Sequence, residues 1–154
     1  MSQEKFIALI KTITADIQGR DIDNELMEYM NDRYSPAADE FRQLAEACRI
    51  GIREGWLCNR EAGGIKFGRF IKPGPETLEF SVDVVEMEDI AGPHHRHPNG
   101  EIDMIIPDSG AAKFDGHGEG WLVYEPDSAH KPTVTDGRAI ILYLLPDGAI
   151  EFTK

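Results

Sequence analysis

Residues 95–101 read His-Arg-His-Pro-Asn-Gly-Glu. On an extended strand, residues two positions apart point to the same face, so the side chains of His95 and His97 are expected to lie side by side. Residues 98–100, Pro-Asn-Gly, have the composition of a turn, and Glu101 follows them directly. Two imidazoles and one carboxylate can therefore converge on one point from two adjacent strands.

A fourth donor of this kind comes later in the chain. All five histidines lie between His94 and His130, and His130 follows Pro126 at the end of a later predicted strand. Imidazole nitrogen and carboxylate oxygen suit Zn, Fe, Mn, Ni or Cu, and the residue types alone do not choose among these metals. We therefore expect one divalent metal ion per chain, with Zn, Fe, Mn or Ni as the candidates.

The chain around this stretch has the pattern of an antiparallel β protein. From Gly63 onward, Gly and Pro separate short segments rich in Val, Ile, Phe and Thr. The predicted strands are Ile65–Ile71, Leu78–Met87, Glu101–Ile106, Ala111–Phe114, Trp121–Glu125, Pro132–Thr135, Ala139–Leu145 and Ile150–Thr153. Short strands in this number indicate a sandwich or a closed barrel, and the helices precede the strands instead of alternating with them, which argues against a parallel βαβ sheet.

The first third of the chain has helical periodicity instead. Ser2 can cap a first helix, and a shorter helical segment spans Leu26–Met30. Ser35 and Pro36 form an N-cap and first-position pair for a further helix, which Gly55 ends. The apolar stripe of the first helix is Phe6, Ile10, Ile13 and Ile17, and that of the last is Phe41, Leu44, Ala45, Cys48 and Ile52.

The composition limits the partners. Asp and Glu total 28 against 16 Lys and Arg, so the formal net charge is −12. This balance argues against nucleic acid and an anionic membrane surface as partners, although one basic residue in a pocket can still bind a small anion. Residues 1–10 lack the pattern of a targeting segment, and the longest apolar run, Ala139–Leu145, is much shorter than a membrane span. The chain has only two cysteines, which do not make a disulfide framework of the kind found in secreted proteins. We therefore expect a cytoplasmic protein.

Residues 95–101 resemble the first motif of the cupin superfamily, in which two histidines two positions apart are followed by a glutamate. Residues 120–130, with Gly120, Pro126 and a closing histidine, resemble the second motif. The resemblance implies a mainly β fold, a single antiparallel cupin barrel (jelly roll) with an N-terminal helical segment. It also implies that the metal ligands are His95, His97, Glu101 and His130.

The resemblance also sets the expected domain organisation. Residues 1–154 are expected to form a single domain, in which residues 1–58 are a helical N-terminal elaboration and residues 63–154 are the cupin barrel. The chain departs from the motifs at Asp89, Ser128 and Val134, where the superfamily has Gly, Gly and Asn. These departures concern the turns, whereas the four ligand types are intact.

A longer string carries a closer resemblance. Residues 92–107 read Gly-Pro-His-His-Arg-His-Pro-Asn-Gly-Glu-Ile-Asp-Met-Ile-Ile-Pro. Behind a helical N-terminal region, this string resembles the 4-hydroxylaminobenzoate lyase family, whose members serve nitroaromatic degradation. The resemblance implies a metal-dependent carbon–nitrogen lyase that converts 4-hydroxylaminobenzoate, a small aromatic acid, to protocatechuate and ammonia. Cupins often pair through a sheet, and the helices offer a second apolar surface, so a homodimer is expected.

Three further residues are candidates for the chemistry. Asp103 has the same strand parity as Glu101 and should point inward, as a general acid/base, as a partner of a ligand histidine, or as a solvated carboxylate at a barrel mouth. Tyr143 either lines the pocket as a second catalytic group or is a core tyrosine. Arg69, or else Lys66, could bind the carboxylate of a substrate.

Two other functions remain open at this point. One is a cupin dioxygenase or isomerase that acts on a small aromatic acid. The other is a non-catalytic module that binds a small ligand with the help of a metal. Oxygen consumption would identify the dioxygenase, and saturable binding without turnover would identify the binding module.

Overall fold

The structure is a computed structural model that describes residues 3–153, so Ser2 and its predicted capping role lie outside the described residues. The chain begins with helices and continues with strands. The helices are α1 (Gln3–Ile17), α2 (Asn24–Arg33) and α3 (Asp39–Glu54). None of them, within this part of the chain, is long and apolar enough to cross a membrane.

The helix boundaries follow the predicted stripes, with one correction. The prediction that Ser35 and Pro36 begin a helix is wrong, because α3 begins at Asp39. The amide of Ala38 donates to the carbonyl oxygen of Ser35 at 2.8 Å, so Pro36 lies in a turn, where its restricted φ is equally favoured. The predicted end is confirmed, since Gly55 has a φ of 88°, in the left-handed region that glycine adopts without strain.

The strands pair antiparallel in two sheets. They are β1 (Arg60–Ala62), β2 (Ile65–Ile71), β3 (Phe80–Ala91), β4 (His95–His97), β5 (Glu101–Pro107), β6 (Lys113–Phe114), β7 (Gly120–Tyr124), β8 (Ser128–His130), β9 (Thr133–Pro146) and β10 (Glu151–Phe152). The large, seven-stranded sheet has the order β1-β2-β3-β9-β5-β7, with β6 paired to β9, and the small sheet has the order β10-β4-β8. Within residues 3–153 the hydrogen bonds form these two sheets and not one closed ring.

The central strands are longer than predicted. β3 begins at Phe80 because Leu78 and Glu79 have φ values of 52° and 70°, in the left-handed region, so the backbone is not extended there. β9 unites two predicted strands, because β3 pairs with both halves and a bulge opposite Asp89 accommodates the residues between them. β1 and β8 are absent from the predicted strands, because neither segment contains the Val, Ile, Phe or Thr that marked the others.

The two faces of the large sheet have different partners. One face packs against the helices in a core that contains Val84, Met104 and Leu142. The opposite face, called the inner face below, contains Ile105, Ile141 and other apolar residues and faces the small sheet. The predicted mainly β, antiparallel architecture with an N-terminal helical segment is confirmed, and within residues 3–153 its strands form two facing sheets, as in a jelly roll, and not one closed barrel.

Candidate metal centre

Two elements of the small sheet and one of the large sheet carry the predicted ligands. His95 and His97 occupy both ends of β4, and His130 lies directly opposite His95 on β8. Glu101 is the first residue of β5. The turn between them requires glycine, because Gly100 has a φ of 89° and a Cβ there would lie 2.9 Å from the carbonyl oxygen of Tyr124.

The four predicted ligand side chains meet at one point. One ligand atom from each of His95, His97, Glu101 and His130 lies within 4.8 Å of the others. Glu101 Oε2 is 3.0 Å from His97 Nε2 and 3.2 Å from His130 Nε2, and Glu101 Oε1 is 3.5 Å from His95 Nε2. Neighbouring ligands of an ion bound at about 2.0–2.1 Å lie roughly 3.0–3.4 Å apart, so these spacings suit a first-row divalent metal.

Each imidazole is oriented through its other nitrogen. His95 Nδ1 contacts the carbonyl oxygen of Pro93 at 3.3 Å, and a carbonyl can only accept. His97 Nδ1 is 3.0 Å from Ser128 Oγ, whose hydrogen goes to the carbonyl oxygen of Glu125, so Ser128 also accepts from the ring. These acceptors assign the proton to Nδ1 in both rings and leave the Nε2 lone pairs directed at the centre.

His130 has the strongest of the three acceptors. Its Nδ1 is 2.5 Å from Asp115 Oδ2, and a carboxylate can only accept. The same carboxylate receives the hydroxyl hydrogen of Tyr124 and, at Oδ1, the amide of Thr133 at 2.9 Å. His130 therefore also presents Nε2 to the centre.

The resulting centre attracts positive charge. His97 Nε2 and both carboxylate oxygens of Glu101 are buried and have no hydrogen-bond partner in the described part of the chain. Burial alone would raise the pKa of Glu101, but His130, His95 and His97 hold it well below its usual range. Burial alone would lower the pKa of His130, but Asp115 and Glu101 raise it to about 9. In the metal-free chain a proton on His130 supplies this positive charge. Once that proton leaves, three imidazole lone pairs and one carboxylate converge on one point, so the residues fit a divalent metal.

Asp103 and Tyr143 lie beside this centre on the inner face. The two residues are directly paired across β5 and β9, and both are buried. Neither carboxyl oxygen of Asp103 has a hydrogen-bond partner among residues 3–153. Burial and the neighbouring charge of Glu101 raise the pKa of Asp103 well above its usual value. The structure thus brings both predicted catalytic candidates next to the four ligands.

Arg69 lies at the far end of the same cross-strand row. Asp83 pairs with Arg69 on one side and with Tyr143 on the other. The guanidinium of Arg69 donates two hydrogen bonds to Asp83, at 2.8 and 3.1 Å, and one to the carbonyl oxygen of Gly148 at 3.1 Å. The role of Arg69 in binding a substrate carboxylate stays a prediction. In the structure its guanidinium group already contacts the carboxylate of Asp83.

Residues whose strand parity is opposite to that of His95 and His97 point outward. His94 is exposed and contacts the hydroxyl of Thr153. Arg96 makes ion pairs with Glu151, at 3.1 Å, and with Asp127. Both therefore stabilise the outer surface of the small sheet and do not contact the centre.

Sequence reasoning missed the residues that orient the ligands. Tyr124 lies opposite Glu101 in the β5–β7 register, which the predicted strands could have indicated had they been aligned. Asp115 lies in a glycine-containing turn and reaches His130 only because β6 pairs with β9. No local pattern around Asp115 signals that contact.

Comparisons with known proteins agree with the motif. A family model described as 4-hydroxylaminobenzoate lyase matches residues 8–152. A 4-hydroxylaminobenzoate lyase from Nocardioides sp. (strain LMS-CY) is 32% identical over 146 residues, which cover 89% of this chain and 86% of that protein. A protein of the same name from Pseudomonas putida is 28% identical over 167 residues, with coverages of 97% and 95%.

Solved structures are similar over part of the chain, about three fifths of it in the two that follow. An RmlC-like cupin protein from Ralstonia eutropha has a TM-score of 0.40 at 15% identity, over 59% of this chain and 57% of that one. An acetylacetone dioxygenase from Acinetobacter johnsonii has a TM-score of 0.43 at 17% identity, over 60% of this chain and 66% of that one.

Proposed function

Because the chain belongs to the 4-hydroxylaminobenzoate lyase family, we propose that it is a metal-dependent carbon–nitrogen lyase that converts 4-hydroxylaminobenzoate to protocatechuate and ammonia. The observation that carries this proposal is the convergence of three imidazoles and one carboxylate beside the unpartnered carboxyl group of Asp103. The reaction consumes one water and needs no external oxidant. The nitrogen is reduced as its N–O bond breaks, and the ring is oxidised by the same two electrons.

The ligands proposed for the metal are His95, His97, Glu101 and His130. A divalent ion held by these four residues would supply Lewis acidity for the loss of the hydroxylamino oxygen. The ligand types are compatible with Zn, Fe, Mn or Ni. The chain's own contribution is to hold the imidazoles in the required tautomer through Pro93, Ser128 and Asp115.

Asp103 is proposed to move protons. Asp103 follows Glu101 by two residues on β5, so both side chains lie on the same face. Within residues 3–153, neither carboxyl oxygen of Asp103 has a hydrogen-bond partner. Because its raised pKa keeps it protonated, it would first deliver a proton to the departing hydroxylamino oxygen, which leaves as water, and then take one from the water that adds to the ring. A second water would replace the nitrogen as the C–N bond breaks, and the nitrogen would leave as ammonia, so that one water is consumed net. Tyr143, directly opposite Asp103, is the alternative proton carrier.

The remaining inner face is proposed to bind the substrate ring. Ile105, Leu122 and Ile141 are apolar and buried on this face, so they would contact the ring and exclude bulk water. Arg69 is proposed to bind the ring carboxylate. Because Asp83 holds its guanidinium fork, the substrate carboxylate would have to share or displace that contact.

The test is direct. The purified, metal-loaded protein is incubated with 4-hydroxylaminobenzoate under anaerobic conditions, and ammonia and protocatechuate are assayed. We expect both products in equal amounts, and we expect His97→Ala to form neither. Turnover only in the presence of oxygen would indicate a dioxygenase, and saturable binding of the substrate without either product would indicate a binding module.

The assembly and location are proposals as well. We propose a homodimer, although the apolar stripes of α1 and α3 pack on the large sheet and do not provide the exposed surface expected for a partner. Light scattering at micromolar concentration should give twice the 17.2 kDa chain mass, and a monomer mass would contradict the proposal. The cytoplasmic location stays a prediction that cell fractionation would test.

A further inference from the structure

We propose that Asp115 is the positioning residue that fixes His130 as a ligand and thereby controls how tightly the centre holds its metal ion. The inference rests on the proposed metal-dependent function and adds a residue to it. Asp115 itself does not reach the centre, since its carboxylate contacts the outer nitrogen of the His130 ring. Its effect would therefore be exerted through His130.

His130 needs such a partner more than the other two imidazoles do. β4, which carries His95 and His97, is the middle strand of the small sheet, whereas β8, which carries His130, is an edge strand. The side chain of His130 is 10% exposed, against 4% for His95 and 0% for His97. His130 therefore has the least support from its strand and from packing, and it is also the imidazole that contacts a charged acceptor, Asp115.

Asp115 is itself held from three directions. Its Oδ2 accepts from His130 and from the hydroxyl of Tyr124, and its Oδ1 accepts from the amide of Thr133 at 2.9 Å. Its own amide donates to the carbonyl oxygen of Thr133 at 2.8 Å. A carboxylate that is bound this fully has little freedom to turn, so it can fix the ring that it contacts.

Tyr124 connects this arrangement to the large sheet. It lies on β7 directly opposite Glu101, and its ring centroid is 4.3 Å from that of His130. The hydroxyl of Tyr124 donates to Asp115. Tyr124, which lies opposite the ligand Glu101, therefore supports Asp115, which orients the ligand His130. Asp115 and Tyr124 therefore form a second connection, outside the metal centre, between His130 of the small sheet and Glu101 of the large sheet.

The charge of Asp115 has a separate consequence. Among the acceptors that orient the three imidazoles, Pro93 and Ser128 are neutral and Asp115 is the one carboxylate. A carboxylate on the outer nitrogen raises the basicity of the ring and strengthens its bond to a metal. Together, Glu101 and Asp115 supply two negative charges, which match the charge of a divalent ion.

The backbone makes Asn the appropriate test residue. Asp115 has a φ of 50°, in the left-handed region, which Asn tolerates as well as Asp and Ala does not. Asp115→Asn therefore keeps the shape and the backbone conformation, removes the charge and replaces one of the two accepting oxygens by an amide group that cannot accept. Asp127→Asn is the matched control, because Asp127 also has a positive φ of 66°, lies near the site, and forms its ion pair outward with Arg96.

The experiment measures metal affinity. Chelator-treated wild type, Asp115→Asn, Asp127→Asn and Tyr124→Phe are titrated with Zn²⁺ against a competing chelator, and with Co²⁺ while the visible spectrum is recorded. We expect Asp115→Asn to bind Zn²⁺ about 10–100-fold more weakly and to change the Co²⁺ spectrum, which reports ligand geometry. Tyr124→Phe should show a smaller loss, and Asp127→Asn should match the wild type.

The outcomes separate this inference from the proposed function. Wild-type affinity and spectrum in Asp115→Asn, or an equal loss in Asp127→Asn, would overturn the role of Asp115 while the metal site stands. A wild-type protein that binds neither ion would overturn the metal site itself and this role with it. Should Asp115→Asn fail to fold, unchanged affinity in Tyr124→Phe would overturn the proposal.

Discussion

At the scale of single residues, Asp103 is the side chain that packing explains least. It is 0% exposed on the inner face, and its carboxyl oxygens have no hydrogen-bond partner within residues 3–153. A buried carboxyl group without a partner costs stability, and an apolar residue of similar size would fill the same space without that cost. Its place beside Glu101 therefore favours a role in the chemistry.

Asp103→Asn tests that role, because it preserves the shape and removes the proton carrier. We expect turnover of 4-hydroxylaminobenzoate to fall at least ~100-fold while the fold and the metal content are retained. Steady-state rates of ammonia release and elemental analysis of the same sample would check this. Full activity would make Asp103 a bystander and Tyr143 the next candidate, whereas loss of the metal would make Asp103 a residue that orients a ligand.

Two neighbouring histidines test the strand register of the ligands. His97 is fully buried at the centre, and His94 is exposed and contacts Thr153. His97→Ala should lose the metal because it removes one of four converging ligands, and His94→Ala should retain about one ion per chain. Elemental analysis of both purified variants measures this, and the reverse result would mean that the register is wrong by one residue.

At the scale of elements, α2 connects the helical segment to the strands that carry the site. The side chain of Asn31 donates to the carbonyl oxygen of Trp121 at 2.9 Å and accepts from its amide at 2.8 Å, so α2 covers the edge strand β7. On its other side, Tyr29 and Tyr34 each donate to Asp16 of α1 at 2.7 Å. These hydrogen bonds connect α2, and Tyr34 directly after it, to the carboxylate of Asp16.

Asp16→Asn should lower the free energy of unfolding in a pH-dependent way. Burial alone would raise the pKa of Asp16, but the hydroxyls of Tyr29 and Tyr34 hold it below its usual value. A lowered pKa adds stability that is present above the unfolded value of about 3.9 and is lost as the pH falls through the folded value. The loss should be roughly 1–3 kcal/mol at pH 7.

Urea unfolding at pH 7, 5 and 3 would measure this effect. The difference between the wild type and Asp16→Asn should be similar at pH 7 and 5 and smaller at pH 3. Asp32→Asn, on the exposed side of α2, is the control and should leave stability unchanged at pH 7. A difference of the same size at all three pH values would contradict the assignment to the ionised carboxylate.

At the scale of the whole molecule, the metal centre is where the two sheets meet. The small sheet contributes the three histidines through β4 and β8, and the large sheet contributes Glu101 through β5. An ion bound by all four residues would therefore link the sheets as well as serve the reaction. This arrangement couples metal binding to the stability of the fold.

Removal of the metal should lower the melting temperature. An ion that binds only the folded chain, at a free concentration 100-fold above its Kd, adds about 2.7 kcal/mol of stability, or about 5–10 °C for a chain of this size. Thermal unfolding with chelator and with added Zn²⁺ would measure the shift. The shift should vanish in His97→Ala, and an equal melting temperature of the wild type in both conditions would argue against a linking ion.

The amino-acid sequence alone was enough to predict the features that depend on local spacing. The strand period places His95 and His97 on one face, and the turn at residues 98–100 returns the chain so that Glu101 faces them. The helical period in the same way assigns the buried stripes of α1 and α3, which the structure confirms except at Ile52, which is only partly buried. In each case the pattern and its consequence lie within a few residues of each other, so periodicity is sufficient.

Only the tertiary structure shows the contacts that depend on how distant strands are aligned. Asp115 reaches His130 because β6 pairs with β9, and Arg69 contacts Asp83 because β2 pairs with β3 in one particular register. Nothing in the local sequence of these residues encodes their partners, since register is decided by the packing of the whole inner face. Strand parity showed which way Asp103 points, and only the folded chain showed that its carboxyl group lies buried without a partner in the described residues.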